Sequence, residues 1–242
     1  MTIPLEIIDL SKTYDSKEAV RNISFKVNEN EIIGILGPNG CGKTTTIGMI
    51  LGLLKPTKGK VLINGIEIEK QRVELLNELN FISPYIELPK KLTVKQNLEV
   101  YGRLYDVKKL GIKIDYLCEK LRLNEFINKI TGELSSGQKN RVSLAKSIIN
   151  DPSVLLLDEP TASLDPETGD FVRSFLEEYQ KERETSILLA SHNMAEVERL
   201  CSSVLMMNKG SIIDQGTPDE LIQKHGRKNM EEVFLKLTRD LI

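Results

Sequence analysis

Two stretches of the chain carry residues suited to phosphate chemistry. The first, Gly37-Pro38-Asn39-Gly40-Cys41-Gly42-Lys43-Thr44, fits the pattern G-x-x-x-x-G-K-[ST]. Its glycines let the backbone turn tightly enough to aim successive N–H groups at phosphate oxygens. A helix starting near Thr44 would add the positive end of its dipole. Lys43 can neutralise the β and γ charges of a triphosphate during transfer, and the Thr44 hydroxyl suits Mg²⁺. The candidate contact set is therefore Gly37, Pro38, Asn39, Gly40, Cys41, Gly42, Lys43, Thr44 and Thr45.

The second stretch is the apolar run Val154-Leu155-Leu156-Leu157, which ends in Asp158-Glu159-Pro160. Ionised carboxylates just past an apolar run are costly unless something positive sits beside them. Asp158 is placed to hold Mg²⁺ through its water shell. Neighbouring side chains on a strand point apart, so Glu159 would reach a different spot, where it could orient or deprotonate an attacking water. Alone, such a pair is also a helix-start signal; beside a phosphate loop, the catalytic reading is the stronger. A third segment, Leu134-Ser135-Ser136-Gly137-Gln138, precedes a helical pattern that Ser135 or Ser136 can cap. It reads as an ordinary N-cap, or as a second anion-shaped helix end serving the nucleotide of another copy.

These residues need elements to position them. Residues 32–36, 154–157 and 187–190 are continuously apolar, as strands buried on both faces of a parallel sheet are. Each leads through a polar or glycine-rich turn into a helical pattern, so ligands belong at the carboxyl ends of the strands. Residues 5–10 and 23–27 alternate, as half-exposed antiparallel strands do. Asn64-Gly65 and Asn208-Lys209-Gly210 mark hairpins. Between Leu92 and Asn150 the pattern is helical: a helix capped by Thr93 runs through Tyr105, with others at 114–121, 125–130 and 138–149. Met230, Val233, Phe234, Leu237 and Leu241 share one helix face, within an amphipathic helix of about 229–241. The expectation is an α/β chain of one domain, residues 1–242, with a mainly parallel core sheet, an antiparallel β layer and a helical subdomain at about 85–150.

Composition narrows the choices. With 33 Lys and Arg against 35 Asp and Glu, the net charge is −2, so no general basic field invites nucleic acid. Hydrophobic residues make up 40%, ordinary for a chain of 242 residues that buries a core. The longest uncharged apolar stretch near a helix pattern, Thr44 to Leu54, falls well short of the roughly 20 residues a spanning helix needs. The first residues carry an early acid and no basic lead-in, unlike a secretion signal. Cys41, Cys118 and Cys201 are odd in number and widely spaced, as reduced cysteines in a cytosolic protein are. Cys41, lying inside the phosphate loop, is expected to react with bulky thiol reagents and to be protected by ATP.

Taken together, the motifs resemble those of the ATPase subunits of ATP-binding cassette (ABC) transporters, from about Leu5 to His225. The likeness is strongest to bacterial ABC-2-type exporter subunits. In that family 134–138 matches the signature LSGGQ, with Ser136 in place of its first glycine. The resemblance implies a P-loop NTPase fold, ATP and Mg²⁺ as cofactors, and a head-to-tail dimer with a second copy or a homologous subunit. In that dimer Ser135, Ser136, Gly137 and Gln138 would cover the γ-phosphate held by the partner's loop. Tyr14 matches the aromatic that stacks on adenine, though alone it reads as a turn tyrosine. Asp165 matches the aspartate of the loop that touches the partner. His192 matches the switch histidine at the γ-phosphate, and Lys43 and Glu159 the other catalytic groups. A separate membrane permease is the implied partner, with this chain cytoplasmic and peripheral on the inner face of the membrane.

One departure stands out. Where the family usually places a glutamine near Mg²⁺ and the attacking water, Asn80-Phe81-Ile82-Ser83-Pro84-Tyr85 puts Pro84. Proline offers no side-chain donor or acceptor, Ser83 has a shorter reach, and Gln96 lies inside the next helix. Slow hydrolysis is one expectation. Another is a docking surface made of Tyr85, Ile86, Leu88 and Leu92. Two alternatives to a transport motor follow: a nucleotide-gated module with little hydrolysis, or a soluble ABC ATPase acting on DNA or ribosomes. Against the second, soluble relatives of that kind carry long coiled-coil insertions or two cassettes per chain, and this sequence shows neither.

Overall fold

The computed structural model describes residues 3–84 and 86–239. In chain order the first elements are β1 (Leu5–Tyr14), β2 (Lys17–Val27), β3 (Ile32–Leu36), α1 (Lys43–Ile50), β4 (Lys58–Ile63), β5 (Ile66–Glu67) and α2 (Arg72–Leu76). Next come β6 (Leu79–Ile82), α3 (Val94–Leu104), α4 (Leu110–Lys120), α5 (Ser136–Ser147), β7 (Val154–Asp158) and α6 (Pro166–Arg183). The last are β8 (Ser186–Ala190), α7 (Met194–Leu200), β9 (Ser203–Asn208), β10 (Ser211–Gly216), α8 (Pro218–His225) and α9 (Met230–Arg239). They divide into two compact units, one made of residues through Leu76 and from Ser186 onward, the other of Asn77–Thr185.

In the first unit β2, β1, β4 and β5 form an antiparallel sheet. Its β4–β5 hairpin turns at Asn64 and Gly65, both at positive φ (50° and 76°), as a two-residue hairpin loop requires. A second layer pairs β3 in parallel with both β8 and β9, and β10 antiparallel to β9. Every residue of β3 and β8 is buried, which is why residues 32–36 and 187–190 read as unbroken apolar runs; the buried Ser186 that opens β8 donates to the Asn28 carbonyl (2.8 Å). Ile32 faces Ile187 and Ile35 faces Ala190, so the two strands finish at one edge. On α9, Met230 and Val233 are buried and the Met230 N–H donates to Glu198 on α7 (2.7 Å). Leu241, assigned to the same face, lies outside the described residues.

In the second unit β6 and β7 run parallel, from Leu79 beside Val154 to Ile82 beside Leu157. Thr93 caps α3 through a reciprocal capping box with Gln96, which engages the glutamine in helix capping. Two expectations need correction. The helix around 114–121 begins earlier, at Leu110. The helix placed at 125–130 is a single 3₁₀ turn, Asn124–Phe126. Beyond that turn the carbonyls of Ile127 and Lys129 accept from the N–H groups of Lys95 and Val94 at the head of α3, so they cannot extend a helix of their own. Lys146 of α5 fastens that helix to β6, donating to Asn80 Oδ1 (3.1 Å) and to the Phe81 carbonyl (3.3 Å).

Candidate active site

The first unit carries the phosphate loop between β3 and α1. Gly42 caps α1 at φ 115°, ψ −3°, and no side chain caps the helix start. A Cβ there would lie 2.7 Å from the Ala19 carbonyl of β2, so the position takes glycine for both conformation and space. The Cys41 carbonyl accepts from Gly210 N (2.9 Å), and the Gly210 carbonyl accepts from Arg21 N (2.7 Å). Thus the β9–β10 turn and β2 together fix the loop from below. Lys43 Nζ donates to the Gly37 carbonyl (2.6 Å) and lies 3.4 Å from that of Pro38, while the Thr44 side chain is exposed at the helix head. Asn39 and Gly40 are exposed at the tip, and Thr45 is half-buried. Cys41 is only 3% exposed, so the expectation of a reagent-accessible thiol is corrected: its side chain packs under the loop.

His192 follows β8, at the edge where β3 delivers the phosphate loop, and its side chain is exposed. Its turn is built by neighbours that the sequence reading did not single out. Ser191 Oγ, buried, donates to Glu196 Oε2 (2.6 Å), and Asn193 caps α7 by accepting from Glu196 N. The Asn193…Glu196 spacing is the readable signal for that cap. Tyr14 ends β1, 43% exposed, with the Lys12 ammonium 5.0 Å from its ring centre.

The second unit carries the acids. Asp158 closes β7 and is buried; Ser83, leaving the parallel neighbour β6, donates to its Oδ2 at 3.4 Å. Glu159 adopts φ 52°, left-handed and unusual for a non-glycine residue. A cavity of about 230 Å³ is lined by Ser83, Pro84, Ser136, Asn140, Asp158 and Glu159 among others. Ser135 caps α5 through a capping box with Gln138, leaving Ser136 and Gly137 in its first turn. Asp165 caps α6, accepting from Thr168 N (2.9 Å) and Thr168 Oγ1 (2.7 Å). Those hydrogen bonds, the backbone one foremost, hold its carboxyl below the usual range. Among the expected docking residues Ile86 is exposed and Leu92 half-buried, Leu88 is buried, contrary to expectation, and Tyr85 lies outside the described residues. Leu88 lines the cavity wall, which is why it leaves the surface.

The family model described as ABC transporter matches residues 20–162. The chain belongs to the ABC transporter family. This family member is 33% identical to the ABC transporter ATP-binding protein NatA of Bacillus subtilis (strain 168), an alignment covering 98% of this chain and 99% of the relative. It is 36% identical to the Nod factor export ATP-binding protein I of Rhizobium etli, over 91% of this chain and 70% of that one. A solved ATP-binding subunit of an ABC transporter matches it with a TM-score of 0.90 at 26% identity, covering 98% of this chain and 100% of the other. The fold is that of ABC ATPases, with parallel strands, an antiparallel sheet and helices, and the chain is an ATPase that binds and hydrolyses ATP.

Proposed function

We propose that this ABC ATPase is the motor subunit of a membrane exporter. Two cassettes close around two ATP molecules, hydrolyse them and reopen, moving a separate permease. The observation that carries the reading is the phosphate loop itself, with Lys43 and Thr44 at the head of α1 and His192 leaving the adjacent parallel strand. Export is favoured by the likeness to a Nod factor export subunit. No described helix is long and apolar enough to cross a membrane, in keeping with a subunit held at the inner membrane face by its permease.

The roles follow from residue chemistry. Backbone N–H groups from Asn39 to Thr45 cradle the phosphates, and Lys43 offsets charge developing on them. The Thr44 hydroxyl and the Asp158 carboxylate are hard oxygen donors of the type Mg²⁺ takes, and the Ser83 hydroxyl beside Asp158 can hydrogen-bond a metal-bound water. When bound, Mg²⁺ neutralises phosphate charge. Glu159 orients and deprotonates the attacking water, His192 senses the γ-phosphate, and Tyr14 stacks on the base. Ser135, Ser136, Gly137 and Gln138, with Asp165, meet the partner cassette.

Pro84 favours one second reading, a nucleotide gate with little turnover, because it is exposed immediately after β6 and brings no hydrogen-bonding side chain. Phosphate release by wild type and Glu159→Gln, with the permease present, separates the two. A motor releases phosphate well above the Glu159→Gln level when the permease is present, whereas slow release only marginally above that level would favour the gate.

A further inference from the structure

The loop that follows β7 is held by α5 at two points. Asn140, in the second turn of α5, donates its side-chain amide to the Pro160 carbonyl at 2.7 Å. One turn earlier, a Cβ on Gly137 would come within 3.2 Å of Thr168 in the first turn of α6, so the two helices approach closely where the loop ends. Thr168 in turn gives both its N–H and its hydroxyl to Asp165. Glu159, one residue before the first of these points, and Ser163, between the two, are non-glycine residues at positive φ (52° and 62°). Such backbone persists only where its surroundings over-determine it. The Ala162 N–H, donating to the Glu159 carbonyl, closes the first turn from within. The Asn140 amide is its brace from outside.

The other half of that amide is informative. Asn140 Oδ1 is buried and has no hydrogen-bond partner among the described residues. A buried carbonyl oxygen without a donor is unfavourable, and an apolar side chain of the same shape would avoid it. What the amide supplies, and an apolar residue cannot, is the N–H to Pro160.

We propose that Asn140 is a positioning residue for ATP hydrolysis: its amide fixes the Glu159–Pro160 turn against α5 and so aims the Glu159 carboxylate. The consequence is a direct mechanical link, because Ser135 to Gln138 form the head of the same helix. Whatever engages that head shifts the aim of Glu159 through Asn140. The inference rests on Glu159 being the general base.

The test compares the full-length chain as wild type, Asn140→Leu, Asn140→Asp, Glu159→Gln and the Glu159→Gln/Asn140→Leu pair. Phosphate release, the unfolding midpoint and ATP-dependent dimerisation on a sizing column are measured for each. Asn140→Leu and Asn140→Asp both lack the donor, and each is expected to lower kcat about tenfold while KM for ATP stays within about twofold, as small losses of alignment do. The Asn140→Leu unfolding midpoint should stay close to wild type, and the double variant should dimerise with ATP as Glu159→Gln does. The inference falls if Asn140→Leu keeps wild-type kcat, if its loss lies in KM, or if the double variant no longer dimerises, which would make Asn140 a closure or folding residue. Wild-type turnover by Glu159→Gln would instead overturn the underlying assignment of the base.

Discussion

Replacing Gly42 by Ala puts a methyl group where the fold has no room for one. Its Cβ would stand 2.7 Å from the Ala19 carbonyl, and the backbone at φ 115°, ψ −3° is one that L residues rarely adopt. Holding a non-glycine residue there costs about 1–3 kcal/mol. Forcing the methyl against a backbone carbonyl adds ~1–3 kcal/mol. The chain must therefore absorb about 2–6 kcal/mol in one of two ways. If the loop keeps its shape, the cost appears as a lower unfolding free energy. If the loop relaxes, its N–H groups swing off the phosphates and ATP binding weakens by up to roughly 30-fold for each 2 kcal/mol released. Denaturant unfolding and titration calorimetry with Mg·ATP measure the two terms, whose losses should sum to at least about 2 kcal/mol. Gly40→Ala is the internal control. Gly40 also has positive φ (78°), but nothing lies within 4 Å of an added Cβ, so only the conformational cost of about 1–2 kcal/mol applies. Wild-type stability together with wild-type affinity in Gly42→Ala would refute the argument from loop geometry.

Lys43→Ala removes the ammonium now held on the Gly37 carbonyl, and with it a charge-assisted contact to phosphate. The Kd for ATP should rise roughly 10–100-fold by calorimetry, the loss of about 1.5–3 kcal/mol. Lys146 gives a pH prediction: burial lowers it to about 8, with its ammonium 4.8 Å from the Phe81 ring centre and 5.4 Å from that of Tyr101. The unfolded chain keeps that proton up to about pH 10.4, so between there and pH 8 it binds more protons than the folded chain, and stability rises with pH. Lys146→Met should abolish this contribution, which amounts to at most ~3 kcal/mol across the window, seen as a flatter curve of unfolding free energy against pH than that of wild type.

Much of this was readable from the residues, and the reasons differ by element. Strands buried on both faces announce themselves, because little that is polar is tolerated on either side: β3, β7 and β8 are apolar apart from the Ser186 that opens β8 and the Asp158 that ends β7. The hairpins at Asn64-Gly65 and Lys209-Gly210 were legible because a two-residue loop needs positive φ. The 3₁₀ turn at Asn124–Phe126 was not, since its continuation is prevented by a tertiary event, the capture of the Ile127 and Lys129 carbonyls by α3. Asp165 shows how a motif reading can pass over a local role. Read as a partner contact, it is also the N-cap of α6, with Pro166 in the first turn, a signal the sequence carried in plain form. Cys41 and Leu88 went the other way: the first was expected to be open to thiol reagents and the second to lie in an exposed segment, and both are buried by packing that no local pattern reports. Asn140 had no signal at all, because a side chain that reaches a carbonyl twenty residues away leaves no periodic trace.

The most direct test of the account is amide hydrogen exchange read by mass spectrometry on the full chain, with and without saturating Mg·ATP. The backbone N–H groups of residues 39–45 should exchange more slowly when nucleotide is bound, because they become donors to its phosphates. Unchanged exchange across that loop under conditions where calorimetry shows ATP bound would place the triphosphate elsewhere and contradict the account.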